Sequence, residues 1–489
     1  MGIDQSAISR VIGVDVAFKH FEVGRVMFLP QRVALIGQGN SAKVYSTEKT
    51  EVTSAAEVAA KYGYGSPLHL AARQLFPRNG DGIGSIPVTV YPLVDAGTGV
   101  PAAGSIAATG TQAGQGTLKV LVNKIQTAEI VVADAEPPAT TLGNIKSAID
   151  AVLEMPVITG TVSGGSLPLT AKWDGVTGND IYIEIEQTGV DFTFTVTQPT
   201  GGAVNPDIDD ALDLIGPVWE TIILNLLNYN DTTTLDKLST YGEGRWGELE
   251  KKPCWAASGC TAVLATRTAV TDSRKTDRIN ALIVAPGSRE LPFVVAARGV
   301  ARIAPVAQNN PARNYCGRLT GLSAGADSSQ ETYTQRNQSV LKGSSTSVIV
   351  DGEIELNDTI TMYHPDGEAD PGYRYVCDIV KLQNIVYNIR LIFESNEWKG
   401  APLLPDSTPT INKDAKKPKD AKTALGNLAY NLALHAILAD FEYTQDNMTA
   451  SINSQNPKRL DTTFPVKISG NTEIVSTDLL FGFYFGQVA

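Results

Sequence analysis

Two stretches of this chain repeat the order strand, helix, strand, and a third stretch of different character separates them. Residues 32–36 are a short apolar run ending in Gly37-Gln38-Gly39, residues 55–76 have helical spacing broken near Gly63 and Gly65, and residues 87–94 are again strand-like. After residue 207 the pattern returns. Helix-like 208–214 leads to strand 221–226, helix 232–247 to strand 254–257, and strand 281–284 to helix 292–303. Strands that alternate with helices pair in parallel, because each helix carries the chain back across the sheet, so this pattern predicts a largely parallel sheet covered by helices.

Residues 97–206 break the alternation. They are rich in Gly, Thr, Val, Ala and Ser, with short strands at 118–122, 129–132, 181–186 and 192–197, one helix at 142–153, and glycine turns at Gly164-Gly165, Gly175 and Gly201-Gly202. Closely spaced strands joined by such turns predict a β-rich domain inserted into the α/β unit. In the carboxyl-terminal third, a helix over 329–342 stops at Gly343, and strands follow at 347–350 and 353–362. A long helix then places Ile379, Leu382, Val386, Ile389 and Phe393 on one face. A Pro- and Lys-rich connection, 412–420, leads into a helix predicted over 421–440 with the stripe Leu425, Leu428 and Leu432.

Composition removes several classes of function. With 40 Lys and Arg against 52 Asp and Glu, the formal charge of −12 opposes attraction to phosphate backbones or anionic lipid, so no nucleic-acid partner is expected. The opening Met-Gly-Ile-Asp-Gln-Ser lacks the regions of a secretory signal, and no apolar run is long enough for a bilayer, so membrane insertion is not expected either. Four irregularly spaced cysteines form no Cys-x-x-Cys, and the four histidines are scattered. A disulfide framework, a metal site and a bound cofactor are therefore not expected.

Two motifs suggest enzymes and lack their context. Gly37-Gln38-Gly39-Asn40-Ser41-Ala42 fits a dinucleotide-binding turn after a strand, but the acidic residue that should end a second strand some twenty positions on falls instead in predicted helix. Gly321-Leu322-Ser323-Ala324-Gly325 matches a nucleophile elbow, with Asp378 and His435 in workable order downstream, yet its lead-in reads as loop. An α/β hydrolase using Ser323, with the β-rich domain as an accessory, is the alternative reading. Lys413, Lys416, Lys417, Lys419 and Lys422 form a basic run without interleaved aromatics, which suits a solvated linker or an acidic protein surface.

The chain ends are less ordinary. Val14, Val16 and Phe18 alternate with polar residues near the amino terminus, and Leu479-Leu480-Phe481-Gly482-Phe483-Tyr484-Phe485 is an apolar run almost at the last residue. Ordering about seven terminal residues costs roughly 7–14 kcal/mol of backbone entropy, which apolar burial repays only if something covers the run. The cover is either the same chain or a neighbour's sheet.

The segments Ile8-Ser9-Arg10-Val11-Ile12-Gly13-Val14-Asp15, Leu29 through Gly39, Tyr64-Gly65-Ser66-Pro67-Leu68 and Leu319-Thr320-Gly321-Leu322, followed by the order of elements from Ser339 onward with its Tyr373-Arg374-Tyr375-Val376 lead into a long helix, resemble the contractile tail sheath proteins of tailed bacteriophages, most closely those of Mu-like phages. The resemblance implies an α/β and α+β multidomain protein without enzymatic activity. An inner α+β domain (326–470) would be assembled with both chain ends, and an outer α/β domain (29–96 and 207–325) would carry the β-rich insert (97–206). It implies stacked hexameric rings around a tail tube, joined by an amino-terminal arm (1–28: Val14, Val16, Phe18) and a carboxyl-terminal arm (471–489: Leu480, Phe481, Phe483, Phe485) that enter neighbours' sheets. Lys416, Lys417, Lys419 and Lys422 would face the tube. Baseplate and tail terminator proteins would be further partners, in a virion tail assembled in the host cytoplasm and used for genome ejection.

Overall fold

The computed structural model describes residues 27–77, 80–367 and 372–481; Val14, Val16, Phe18, Phe483 and Phe485 lie outside them. The chain divides into two compact units, the larger built from residues 28–387 and 470–481, the smaller from Met27 and Asn388–Ser469.

The larger unit begins with β1 (Val33–Gln38), buried along its whole length, then β2 (Thr50–Val52). Ser54 caps α1 (Ala55–Tyr62) by accepting the Glu57 N–H, and Gly63, at φ +92°, ends it in a conformation that residues with a Cβ avoid. Ser66 caps α2 (Pro67–Leu75), with Pro67 at the first position, where no N–H is needed. β3 (Val88–Leu93) follows, again wholly buried.

The insert expected from composition contains β4 (Pro101–Thr109), β5 (Gly116–Val122), β6 (Ile125–Gln126), β7 (Ile130–Val132), α3 (Pro138–Asp150), β8 (Val157–Thr159), β9 (Ser166–Asp174), β10 (Ile183–Thr188) and β11 (Thr193–Thr200). They make two antiparallel four-stranded sheets, one ordered β11-β4-β9-β8, the other with β5 paired to β10, β6 and β7. Leu167, Leu169, Ala171 and Trp173 alternate inward along β9. Trp173 meets Phe293 edge to face, with ring centroids 6.1 Å apart.

The α/β pattern resumes with α4 (Asp209–Ile215), β12 (Ile222–Asn225), α5 (Thr232–Trp246), β13 (Trp255–Cys260), α6 (Leu264–Thr271), β14 (Asn280–Val284) and α7 (Pro292–Asn309). Among the described residues the largest sheet has six strands in the order β14-β13-β12-β1-β3-β2, parallel except for β2. Val33 and Leu35 share one core with residues of α2 and α7, while Ala34 and Ile36 share another with Ile208, Ala211, Leu212 and Ile215 and with Leu238 of α5. A strand buried on both faces needs apolar residues at every position, which is why β1 reads as a run and not an alternation. Gly259 lets α7 approach β13: a Cβ there would fall 1.6 Å from the Pro292 carbonyl oxygen.

Next come β15 (Gly317–Arg318), α8 (Tyr333–Leu341), β16 (Thr346–Val350), β17 (Glu353–Asp358) and α9 (Val376–Phe393). The strands form an antiparallel sheet ordered β15-β17-β16. The helix expected over 329–342 is shorter, because Thr332 and Gln335 close a capping box at its start. The strand expected over 353–362 ends at Asp358, after which Ile360 and Thr361 make only isolated bridges.

The smaller unit contains α10 (Pro418–Leu434), α11 (Phe441–Asn447) and the hairpin β18 (Thr449–Ile452) with β19 (Leu460–Thr463). The helix expected over 421–440 splits in two. Ala436, at φ +55°, turns the chain out of α10, and Asp440 accepts the Tyr443 N–H to start α11.

Candidate functional site

The described part of the carboxyl-terminal run is exposed. From Thr472 to Phe481 every residue faces solvent, and none lies in a strand or helix. Ile474, Val475, Leu479, Leu480 and Phe481 are 80%, 77%, 81%, 93% and 79% exposed. Covering a large aliphatic or aromatic side chain is worth roughly 1.5–3 kcal/mol, so five in ten residues form a site that gains from a partner surface.

The lysine run divides in two. Lys416 Nζ lies 5.5 Å from the Trp398 ring centre and 3.9 Å from Glu397, and Lys417 Nζ donates to the Thr408 carbonyl at 2.5 Å. These three contacts belong to the segment that leads into α10. Lys419 and Lys422, by contrast, are exposed on α10. Pro418, Ala421, Leu425, Leu428, Ala429 and Leu432 bury the opposite face. Tyr430 and Leu434, 42% and 63% exposed, continue the outer face, and sequence reasoning missed them because the leucine stripe drew attention to the buried side.

The enzyme-like motifs occupy structural positions. Gly39 donates its N–H to the Tyr45 hydroxyl at 3.0 Å, a Cβ there would strike the Tyr45 ring, and the chain runs through loop and β2 before α1 begins at Ala55. A phosphate cradle requires a helix opening directly from the turn. Gln38 Nε2 and Ser41 Oγ both donate to Asp95, which sets a carboxylate where a phosphate would need donors.

Ser323 lies in a segment, 321–326, without strand or helix. Its N–H donates to Glu290 Oε1 at 3.3 Å and its carbonyl accepts Ser288 Oγ–H at 2.8 Å, so the stretch is held at its backbone. Asp378 pairs with Lys381 at 2.9 Å. His435 sits exposed at the end of α10, in the smaller unit, and not inside an apolar helix as its sequence neighbours suggested. The elbow's strained strand-to-helix turn has no counterpart around Ser323.

Burial holds His69 down to about 4, so its neutral ring accepts the Gly65 N–H at 3.0 Å. His364 is buried between the Met362 carbonyl, 2.6 Å away, and Asp272, 3.3 Å away. Cys254, Cys260 and Cys377 are buried thiols pushed up to about 12 by desolvation, and Cys316 is an exposed one. Among the described residues no three His, Cys, Asp or Glu side chains gather as a metal would require, and no helix is long and apolar enough to cross a membrane.

No family model matches the chain. The chain is similar to the tail sheath protein of the Mu-like prophage FluMu of Haemophilus influenzae, with 27% identity over 427 residues that cover 85% of each protein. The resemblance read from the sequence is borne out by this relative. Among solved structures, the sheath tail protein of Listeria innocua is 12% identical, with 92% of this chain and 95% of that one covered and a TM-score of 0.49. The helical sheath of the anti-feeding prophage in its contracted state is 11% identical, with 98% and 100% covered and a TM-score of 0.41.

Proposed function

We propose that the chain is the structural subunit of a contractile bacteriophage tail sheath, a role supported by its similarity along most of its length to a named tail sheath protein. Its work is mechanical and not catalytic. Subunits stack as hexameric rings around a tail tube, and contraction drives the tube through the host envelope as new subunit contacts form. The protein thus belongs to the virion tail, is assembled in the host cytoplasm, and meets tube, baseplate and terminator proteins there.

The observation that carries this reading is the exposed apolar run from Ile474 to Phe481. Its cover is a neighbouring copy: strand addition would pair the run's backbone while burying alternate side chains. The hairpin β18–β19 is the acceptor we favour, since among the described residues it is a sheet of two strands, and a two-stranded sheet gains most from a third. Residues 1–28, with Val14, Val16 and Phe18, form the second arm, and the inner domain of 326–470 receives both. Of the four lysines, Lys419 and Lys422 are the better placed to meet the tube, being exposed on a helix backed by a packed face.

Removal of residues 479–489 tests the reading. The truncated protein should stay folded by circular dichroism and remain as separate particles under the electron microscope, whereas the full chain forms rings or cylinders. Cylinders from the truncated chain would overturn the carboxyl-terminal arm, and separate particles from the intact chain would overturn the sheath reading.

A further inference from the structure

The exposed run starts abruptly. Ile474 is 80% exposed, while three residues earlier Asn471 is enclosed by contacts from two directions. Its Oδ1 accepts from Lys381 Nζ at 2.8 Å and from the Cys377 thiol at 3.4 Å, both on α9. Its Nδ2 donates to the Ala312 carbonyl at 2.8 Å, in the segment after α7. One amide thus uses both acceptor positions and one donor to join two separate parts of the larger unit. Two residues on, Glu473 bonds the Tyr375 hydroxyl, just before α9.

Lys381 gives this contact its strength. Its side chain is fully buried, and its ammonium is held 2.9 Å from Asp378 as well as by Asn471. A buried cation needs its hydrogen bonds filled, because water cannot replace a lost acceptor. Withdrawing Asn471 therefore removes one acceptor from a desolvated charge, a larger penalty than loss of a surface amide contact. The Cys377 thiol remains protonated and so acts as a donor.

Resting on the arm reading above, we infer that Asn471 is the anchor of the carboxyl-terminal arm. It fixes the point where the arm leaves the body, so that force on the arm enters α9 through Lys381 and does not peel the chain away. Asn471 is a positioning residue: it supplies no surface to the neighbour and determines where the neighbour's strand begins.

The test compares Asn471→Ala, Asn471→Asp and a chain lacking 479–489. In Asn471→Ala, α9 should keep its hydrogen-exchange protection, and cylinders should shear apart at lower flow while still assembling. Asn471→Asp retains an acceptor for Lys381 and should restore most of the shear resistance. Unchanged shear resistance in Asn471→Ala, with the truncated chain failing to assemble, would overturn the anchor and leave the arm intact. Cylinders from the truncated chain would instead overturn the arm on which it rests. Loss of α9 protection in both variants would show a role in folding alone and would overturn the anchor as well.

Discussion

Leu35 and Leu480 are the same side chain in opposite situations. Leu35 is fully buried in the six-stranded sheet, and Leu480 is 93% exposed near the end of the chain. The sheet completes itself: β1 is flanked by β3 and β12, with helices closing both faces. Residues 472–481 have the apolar content of a buried strand without a covering layer. Substitutions in the first region should therefore change folding, and substitutions in the second should change association.

The largest effect on folding is expected at Arg267. Its fully buried guanidinium holds Glu331 at 2.5 and 2.6 Å and also bonds Ser339 and Ser344. Arg267→Ala strands a carboxylate that is nearly enclosed, and should cost about 3–5 kcal/mol in urea unfolding of the protomer. A loss below about 1 kcal/mol would mean that the region is not self-sufficient.

Glu290 should give a smaller, pH-dependent effect. Burial raises its carboxyl to about 7 from 4.5, although the Ser323 N–H favours the ionised form. The folded protein holds this proton more tightly than the unfolded chain does. Its contribution to stability is therefore fully present below about 4.5, is lost as the pH rises to about 7, and is constant above it. Glu290→Gln should remove a decline on the order of 2 kcal/mol, after allowance for partial solvent screening, in melts followed across that range.

In the uncovered region the expectation reverses. Leu480→Asp with Phe481→Ser should alter protomer stability by less than about 0.5 kcal/mol, since both side chains are largely exposed, 93% and 79%. Polymer in a sedimentation assay should nevertheless disappear. A large drop in stability would show that the run is covered by its own chain. Smallest of all, Lys419→Ala with Lys422→Ala should leave both folding and ring formation intact within about 0.5 kcal/mol and reduce co-sedimentation with a tube at raised salt.

Legibility in the sequence followed the same division. β1, β3, β12 and β14 could be read from apolar runs, and α1, α2, α4 and α5 from spacing, because a sheet buried on both faces writes its burial into every residue. β4 escaped notice: its inward positions are Ala102, Ile106 and Ala108, and small residues carry little strand signal. α6, built from Ala, Thr and Arg around Arg267, escaped for a similar reason, since its buried face is polar and held by ion pairing. At the candidate site the apolar run was visible at once, whereas Asn471 was not. Its meaning depends on Lys381 and Ala312, which lie 90 and 159 positions away.

The β-rich insert enters after β3 and returns just before α4, the short helix that packs beside β3 on the way to β12. α4 alone suffices to carry the chain across, so the sheet's connectivity would survive if everything from 97 to 206 were exchanged for a brief turn. The exchange would uncover Phe293 beneath Trp173 and release the Arg289–Glu184 and Arg73–Glu154 ion pairs and the hydrogen bonds of Asn123 to Arg289 and of Asn228 to Asp180, so these positions would need new polar partners. The insert is therefore a graft site: foreign domains of similar footprint could be spliced there while the strand order of the six-stranded sheet stays as it is.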